Sequence, residues 1–537
     1  LSINSKRSMN RHQISTLMPA LAAALASQSV LFAEIKPNPL FTDGAVLQSG
    51  QSVPVWGTAR DGEKVTVEIG EQKVSTTATN GLWRVNLKPL TAGGPFTMTL
   101  TGDNVVTVNQ ILVGEVWVCS GQSNMEWPLQ RADNADQEIP LANYPKIRMF
   151  TVKKNVSIKP LAEAEGRWVE CSPASAGGFS AVGYFFARDL YQKLDVPVGM
   201  IHTSWGGTPA ESWTSIEGLG KDPELKAHLD AAQAAIANYP TKVAAYSEKI
   251  EAFTAAQVAW EETVNKPYAV ALEAWKEEVA QAKLANQALP EKPKLPSQKP
   301  SRPEKPDGNQ NSETTLFNGM LNPIVPYAIK GTIWYQGESN ANRARLYRTL
   351  FPVMIADWRE KWNQGNFPFL FVQIAPYRDQ PAEIREAQLL TLAKSENTAM
   401  TVITDFGNAN DIHPTQKEPV GHRLSLAARA LAYGEKIEYS GPLYQSKSIQ
   451  SDTIILSFTH VGGGLVAKDG DLKGFTIAAA DGKFVPAKAV IEGTTIRVSA
   501  PDVKAPQAVR FGWENVPDLN LFNTDGLPAS PFRTDVN

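Results

Sequence analysis

Cysteine is scarce in this chain of 537 residues: Cys119 and Cys171 are its whole supply. Two thiols cannot build a disulfide scaffold, and without a CxxC or a Cys/His cluster a structural zinc site has no ligand set. Both are expected as buried thiols, although an exported chain could oxidise them if they lay close together. Net charge is also nearly absent, −3 by formal count, which removes the electrostatic reason to expect nucleic acid or an acidic membrane as partner. No apolar run reaches bilayer-spanning length. The run Leu17–Ala26 follows Lys6, Arg7 and Arg11 and precedes a short second run, Val30–Ala33, which is the layout of an export signal. Residues 1–33 are therefore expected to be removed, after Ala26 or Ala33, from a periplasmic or secreted protein.

What is present is enough chain for two to four domains. Residues 34–112 alternate as short strands, for example Val65–Ile69 and Phe96–Leu100, broken by turns at Asn80-Gly81 and Gly93-Gly94, and predict a small β-domain. From 113 to 435 short apolar strands (Val116–Cys119, Val198–His202, Ile329–Tyr335, Phe369–Ile374, Met400–Thr404) alternate with helical spacing over Tyr184–Leu194, Leu350–Trp362 and Ile384–Leu392. That alternation implies a parallel sheet covered on both faces, with its site beyond the carboxyl ends of the strands. An insertion, 217–312, interrupts it. Apolar residues from Val243 to Val264 and from Tyr268 to Val279 recur at helical steps and predict two helices, which could fold as a hairpin; prolines from Pro290 to Pro306 then mark a Lys-rich linker. The insertion is expected to serve packing or oligomerisation, and nothing in the sequence sets an oligomeric state. Residues 436–537 return to β alternation as a second β-domain.

Histidine is the other scarce residue, with six in the chain, and this narrows the search for a general base. The apolar strand Val116–Cys119 runs into Ser120-Gly121-Gln122-Ser123-Asn124-Met125, which puts Ser123 at the carboxyl edge of the sheet, without the GxSxG elbow of α/β-hydrolases. A nucleophilic serine needs a base, an orienting acid and oxyanion donors. His12 leaves with the signal, His228 lies in the insertion, His460 in the last β-domain and His422 in a helical stretch; His202 ends a strand and is a weaker candidate. His413, in Asp411-Ile412-His413-Pro414, remains. Residues two apart in an extended loop share a side, so Asp411 can orient the imidazole, and its charge should raise the His413 pKa.

Gly121-Gln122-Ser123-Asn124-Met125, Trp334-Tyr335-Gln336-Gly337-Glu338-Ser339-Asn340 and Asp411-Ile412-His413-Pro414 resemble signature blocks of the sialate O-acetylesterase family, within the SGNH hydrolases, and Ile201-His202-Thr203-Ser204-Trp205-Gly206-Gly207-Thr208 is similar to its second block. The resemblance spans residues 36 to 530. It implies a three-layer α/β/α SGNH hydrolase domain flanked by two β-rich domains, and an acetylated carbohydrate as substrate, on sialic acid or a plant-wall polysaccharide. It also implies a Ser123–His413–Asp411 triad with no metal and no cofactor. The oxyanion donors would be the N–H groups of Ser123 and Gly207 and a side-chain amide, Gln336 or Asn340. Here the sequence departs from the usual third block, which supplies asparagine from a GxND-like run. Glu338 would bind substrate or hold its loop. Trp127 and Trp205, with Trp213 and Trp334 close by, could stack on a pyranose ring or pack the loops. Two other functions compete: a glycosidase with Asp405 and Glu338 as paired carboxylates, and a non-catalytic carbohydrate-binding protein.

Overall fold

The structure, a computed structural model, describes residues 34–535; the expected export signal lies outside the described residues. Its organising element is one strand of seventeen residues, β1 (Val105–Gly121). The first half of β1 pairs antiparallel with Gly93–Thr101 of the N-terminal β-rich region. The second half enters a seven-stranded sheet with β2 (Tyr144–Thr151), β3 (Trp168–Cys171), β4 (Val198–Ser204), β5 (Gly331–Tyr335), β6 (Phe369–Val372) and β7 (Thr398–Thr401), in the order β3-β2-β4-β1-β5-β6-β7. One continuous strand thus crosses the boundary expected at 112, and a single hydrophobic cluster runs from Ile35 through both regions.

All pairings in this sheet are parallel except β3 with β2. From β1 the chain builds β2, β3 and β4 on one side and then crosses to start β5 on the other. The strand order therefore reverses at β1, the place where open parallel sheets leave a crevice at their carboxyl ends.

Helices cover the sheet over its central strands; β4, β5 and β6 are buried at every position, whereas β2 leaves Lys146 and Thr151 exposed. Helix α2 (Ala181–Leu194) starts on an N-cap in which Ser180 accepts the Gly183 N–H, and it sends Phe186 edge-on to Trp117 of β1. It packs on the last helix of the domain, Glu418–Tyr433. Trp334 of β5 meets Phe351 and Trp358 of another helix, Ala344–Trp362. Among the described residues no helix is long and apolar enough to cross a membrane. Cys119 and Cys171 are buried free thiols, and burial pushes Cys171 up to about 12.

The insertion differs from the two-helix expectation. Helix Lys226–Trp260, a π turn Glu261–Asn265 and helix Lys266–Leu284 follow one another as a single helical run. Pro267 does not break it, because it stands in the first turn after the π segment, where its missing N–H costs little. The chain returns along the rod as the proline-rich segment: Trp275 Nε1 donates to the Pro290 carbonyl at 2.9 Å and Trp260 Nε1 to the Ser297 carbonyl at 3.1 Å. At these two tryptophans the rod is therefore met by the returning segment rather than by a second helix. The C-terminal β-rich region holds its own core, from Ile454 to Phe532.

Candidate active site

The turn after β1 is set by crowding. Gly121 takes φ +138°, and a Cβ there would lie 2.1 Å from the Tyr335 carbonyl oxygen of β5, so a side chain is sterically excluded. Gln122 donates its N–H to that carbonyl at 3.0 Å, and Ser123 opens the short helix α1 (Ser123–Glu126). Its side chain lines a cleft of about 610 Å³ whose wall also includes Trp127, Arg131, Lys154, His202, Ser204 and His413.

His413 reaches Ser123 from the loop beyond β7. Ser123 Oγ and His413 Nε2 are 2.8 Å apart, across 290 residues of sequence. Asp411 Oδ1 accepts the His413 backbone N–H at 2.9 Å and lies 3.5 Å from the ring Nδ1. A proton on Nδ1 then faces the carboxylate, and Nε2 is left to accept the serine hydroxyl proton. The Trp127 ring stacks on the imidazole, with centroids 5.3 Å apart and planes 23° from parallel, and the Arg131 guanidinium lies 4.1 Å from the Trp127 centroid.

The His413 pKa is lowered, not raised as expected. Burial of the imidazole is the largest influence; Asp411 pulls upward, while Lys417 and Arg131 push down. A depressed pKa keeps the ring neutral at neutral pH, as a general base requires.

The second block is tethered to the first. Glu126 accepts the Gly206 N–H at 2.6 Å on Oε2 and Lys154 Nζ at 2.5 Å on Oε1. Gly207 follows at φ +75°, a left-handed conformation that suits glycine. Among the described residues, no hydrogen-bond partner is found for the N–H of Ser123 or of Gly207, so both are available to an oxyanion. Gln336 is not. Its amide is fully buried and donates to the Thr208 carbonyl at 3.2 Å and to Asn340 Oδ1 at 2.6 Å, while Tyr347 donates to its Oε1. Asn340, also buried, accepts from the Ala210 N–H and from Gln336 on Oδ1 and donates from Nδ2 to Glu211. The assignment of Gln336 as third donor is corrected on that ground: both amide protons are spent within the protein.

Other expected residues fall on either side of the cleft wall. Trp127 is in it; Trp205 is not, and Lys154 lies 5.1 Å from its ring centroid. Trp213 and Trp334 are core. Glu338 is buried beside Asn124, whose Nδ2 donates to its Oε1 at 2.7 Å. Asp405 is held in a two-point ion pair by Arg423, at 2.8 and 2.6 Å. Neither carboxylate lines the cleft, so the pair a glycosidase would need does not flank it.

His202, the weaker histidine candidate, and Lys417, which the sequence did not single out, complete the site. His202 is a second cleft histidine, bonded through Nε2 to Ser204 Oγ at 2.5 Å and held down to about 4 by burial; it stays neutral at ordinary pH. Behind Ser123, Lys417 is fully buried and donates to Asn124 Oδ1 at 2.5 Å. No local pattern signals a buried lysine, since that residue is ordinarily exposed.

The family model described as carbohydrate esterase, sialic acid-specific acetylesterase matches residues 309–430. The chain is 30% identical to the sialate O-acetylesterase of Rattus norvegicus, an alignment covering 90% of this chain and 91% of the rat protein. It is 29% identical to the Homo sapiens sialate O-acetylesterase, covering 89% and 88%. Among solved structures, a carbohydrate acetylesterase from Xanthomonas citri superimposes with a TM-score of 0.75 at 35% identity, covering 94% of this chain and 100% of that one.

Proposed function

Because the chain belongs to the sialate O-acetylesterase family, whose members hydrolyse O-acetyl esters, we propose that Ser123, His413 and Asp411 are its nucleophile, base and orienting acid. The observation that carries this reading is the 2.8 Å approach of Ser123 Oγ to His413 Nε2 inside the cleft. Ser123 Oγ attacks the acetyl carbonyl carbon as its proton passes to Nε2. The oxyanion is received by the N–H groups of Ser123 and Gly207. Collapse of the tetrahedral intermediate breaks the bond to the sugar oxygen, which takes the proton back from His413. Water, deprotonated by the same nitrogen, then attacks the acetyl-serine and releases acetate.

The substrate in this reading is an acetylated carbohydrate, which meets the cleft wall at Trp127. Release of acetate from a panel of acetylated sialosides and plant-wall polysaccharides identifies which sugar carries the ester. The fold is read as a three-layer α/β/α SGNH domain, supported by Trp117 packing on α2 and Trp334 packing on the helix Ala344–Trp362. The N-terminal apolar run would export the protein.

A fluorophosphonate should label Ser123 and abolish activity, and Ser123→Ala should lose several orders of magnitude in turnover while remaining folded. Labelling elsewhere, or retention of more than about a tenth of turnover, would remove Ser123 from the role.

A further inference from the structure

The nucleophile turn and the base loop meet at a buried side-chain cluster that the reaction scheme above does not use. Asn124, the residue after the nucleophile, is completely buried and holds three groups at once. Its Nδ2 donates to Glu338 Oε1 at 2.7 Å and to the carbonyl of Ile412, between Asp411 and His413, at 3.0 Å; its Oδ1 accepts from Lys417 Nζ at 2.5 Å. Lys417 is 0% exposed, and its ammonium lies 5.6 Å from the Trp127 ring centroid and 5.4 Å from that of Tyr335. A carboxylate, an amide and an ammonium thus stand in a row behind Ser123, and the amide also grips the backbone of the loop that carries the base.

We propose that Lys417 is a positioning residue of the esterase: through Asn124 it fixes the base loop against the nucleophile turn, and it holds a positive charge beside the Trp127 ring that stacks on His413. This rests on the reading of His413 as base. A lysine stripped of water is tolerated here because Glu338 and Asp411 face it with opposite charge and two aromatic rings flank it. Burial nevertheless brings its pKa down to about 7, against the pull of Glu338 and Asp411. The groups that act on His413 are Asp411, which favours its protonation, and Lys417 and Arg131, which oppose it.

The sign of the effect follows. His413 works unprotonated, so kcat/KM falls as pH drops through its pKa. Over that acidic limb Lys417 is charged and holds the His413 pKa down. A neutral side chain at 417 lets His413 protonate at higher pH, and the limb must move up. Merely loosening the fold would lower the plateau without moving the limb in a set direction.

The experiment is the pH profile of kcat/KM on a small acetyl ester for wild type, Lys417→Gln, Lys417→Met and Lys417→Arg, with thermal unfolding of each. Lys417→Gln, which keeps a donor for Asn124 but not the charge, should shift the acidic limb upward with a modest loss at the plateau. Lys417→Met should shift it equally and lose roughly tenfold or more at the plateau, since it leaves a buried acceptor unpaired. Lys417→Arg keeps the charge and should leave the limb in place whatever its plateau, so a charge-free variant that failed to fold would still leave a test. A folded Lys417→Gln or Lys417→Met enzyme with the wild-type limb, or an Arg variant whose limb moves upward, overturns the proposal. His413→Ala in parallel separates the two readings: if it retains the wild-type limb, the assignment of the base has failed, and if it is inactive while Lys417→Gln leaves the limb unmoved, only the role of Lys417 has.

Discussion

Replacing Asp411 with Asn should cost far less than the loss of an orienting acid usually does, and the size of the loss can be worked from its setting. The carboxylate is more than half exposed, 55% for its side chain, and Oδ1 lies 3.5 Å from His413 Nδ1. The charge that Asn removes acts on the imidazolium formed in the transition state. Two unit charges 3.5 Å apart in surroundings closer to water than to protein interior, an effective dielectric of about 40 to 80, interact by about 1 to 2.5 kcal/mol. That converts to a loss of about 5- to 60-fold in kcat/KM, against about 10⁴ where the acid is sealed from solvent. The second contact of the same oxygen, with the His413 N–H, survives in Asn, whose carbonyl also accepts. Asp411→Ala removes both contacts and should be worse than Asp411→Asn. The assay is kcat/KM for a chromogenic acetyl ester at a pH above the acidic limb, with fluorophosphonate titration to count active sites. A loss of 10³-fold or more for Asp411→Asn in folded enzyme would refute the reasoning, by showing that the working carboxylate is shielded from water when substrate is bound.

Glu126→Ala should lower kcat by roughly tenfold with little change in KM: the charge-assisted bond that fixes Gly206 is lost and the neighbouring Gly207 N–H drifts from the oxyanion. An unchanged kcat would mean that Glu126 does not fix the second block. Replacing residues 240–305 with a short Gly/Ser linker should leave small-ester turnover within about twofold, since none of them lines the cleft and changes at remote, independent sites seldom couple. Collapse of that turnover in a folded variant would show that the arm shapes the site.

The parts of the site visible in the sequence were those announced by residue type at a strand end. Ser123 after an apolar strand and His413 two residues from Asp411 carry their chemistry locally, and elimination among six histidines did the rest. The central strands were equally legible because they are buried on both faces and read as apolar runs. Gln336 was misjudged because an amide's availability depends on which acceptors surround it, here Thr208 and Asn340. Lys417 went unseen because its burial is created by Trp127 and Tyr335, far away in the chain. The direction of the His413 shift was misread for the same reason: Asp411 is a sequence neighbour, whereas desolvation is a property of the packed site. The insertion had the right periodicity and the wrong partner, since spacing shows that a helix has an apolar face but not what covers it.

That cover has a metric consequence. Between Trp260 and Trp275 the rod advances fifteen residues, about 22 Å at 1.5 Å each; their carbonyl partners, Ser297 and Pro290, stand seven residues apart, which spans at most about 25 Å fully extended, so the return segment runs close to its full reach. Two ladders of different pitch, locked at two rungs, can be lengthened or shortened only together. Roughly two helical residues must enter or leave for each residue of the return segment, or the tryptophans fall out of step with their carbonyls. An unmatched insertion on either side should therefore bend the rod or fray its tip.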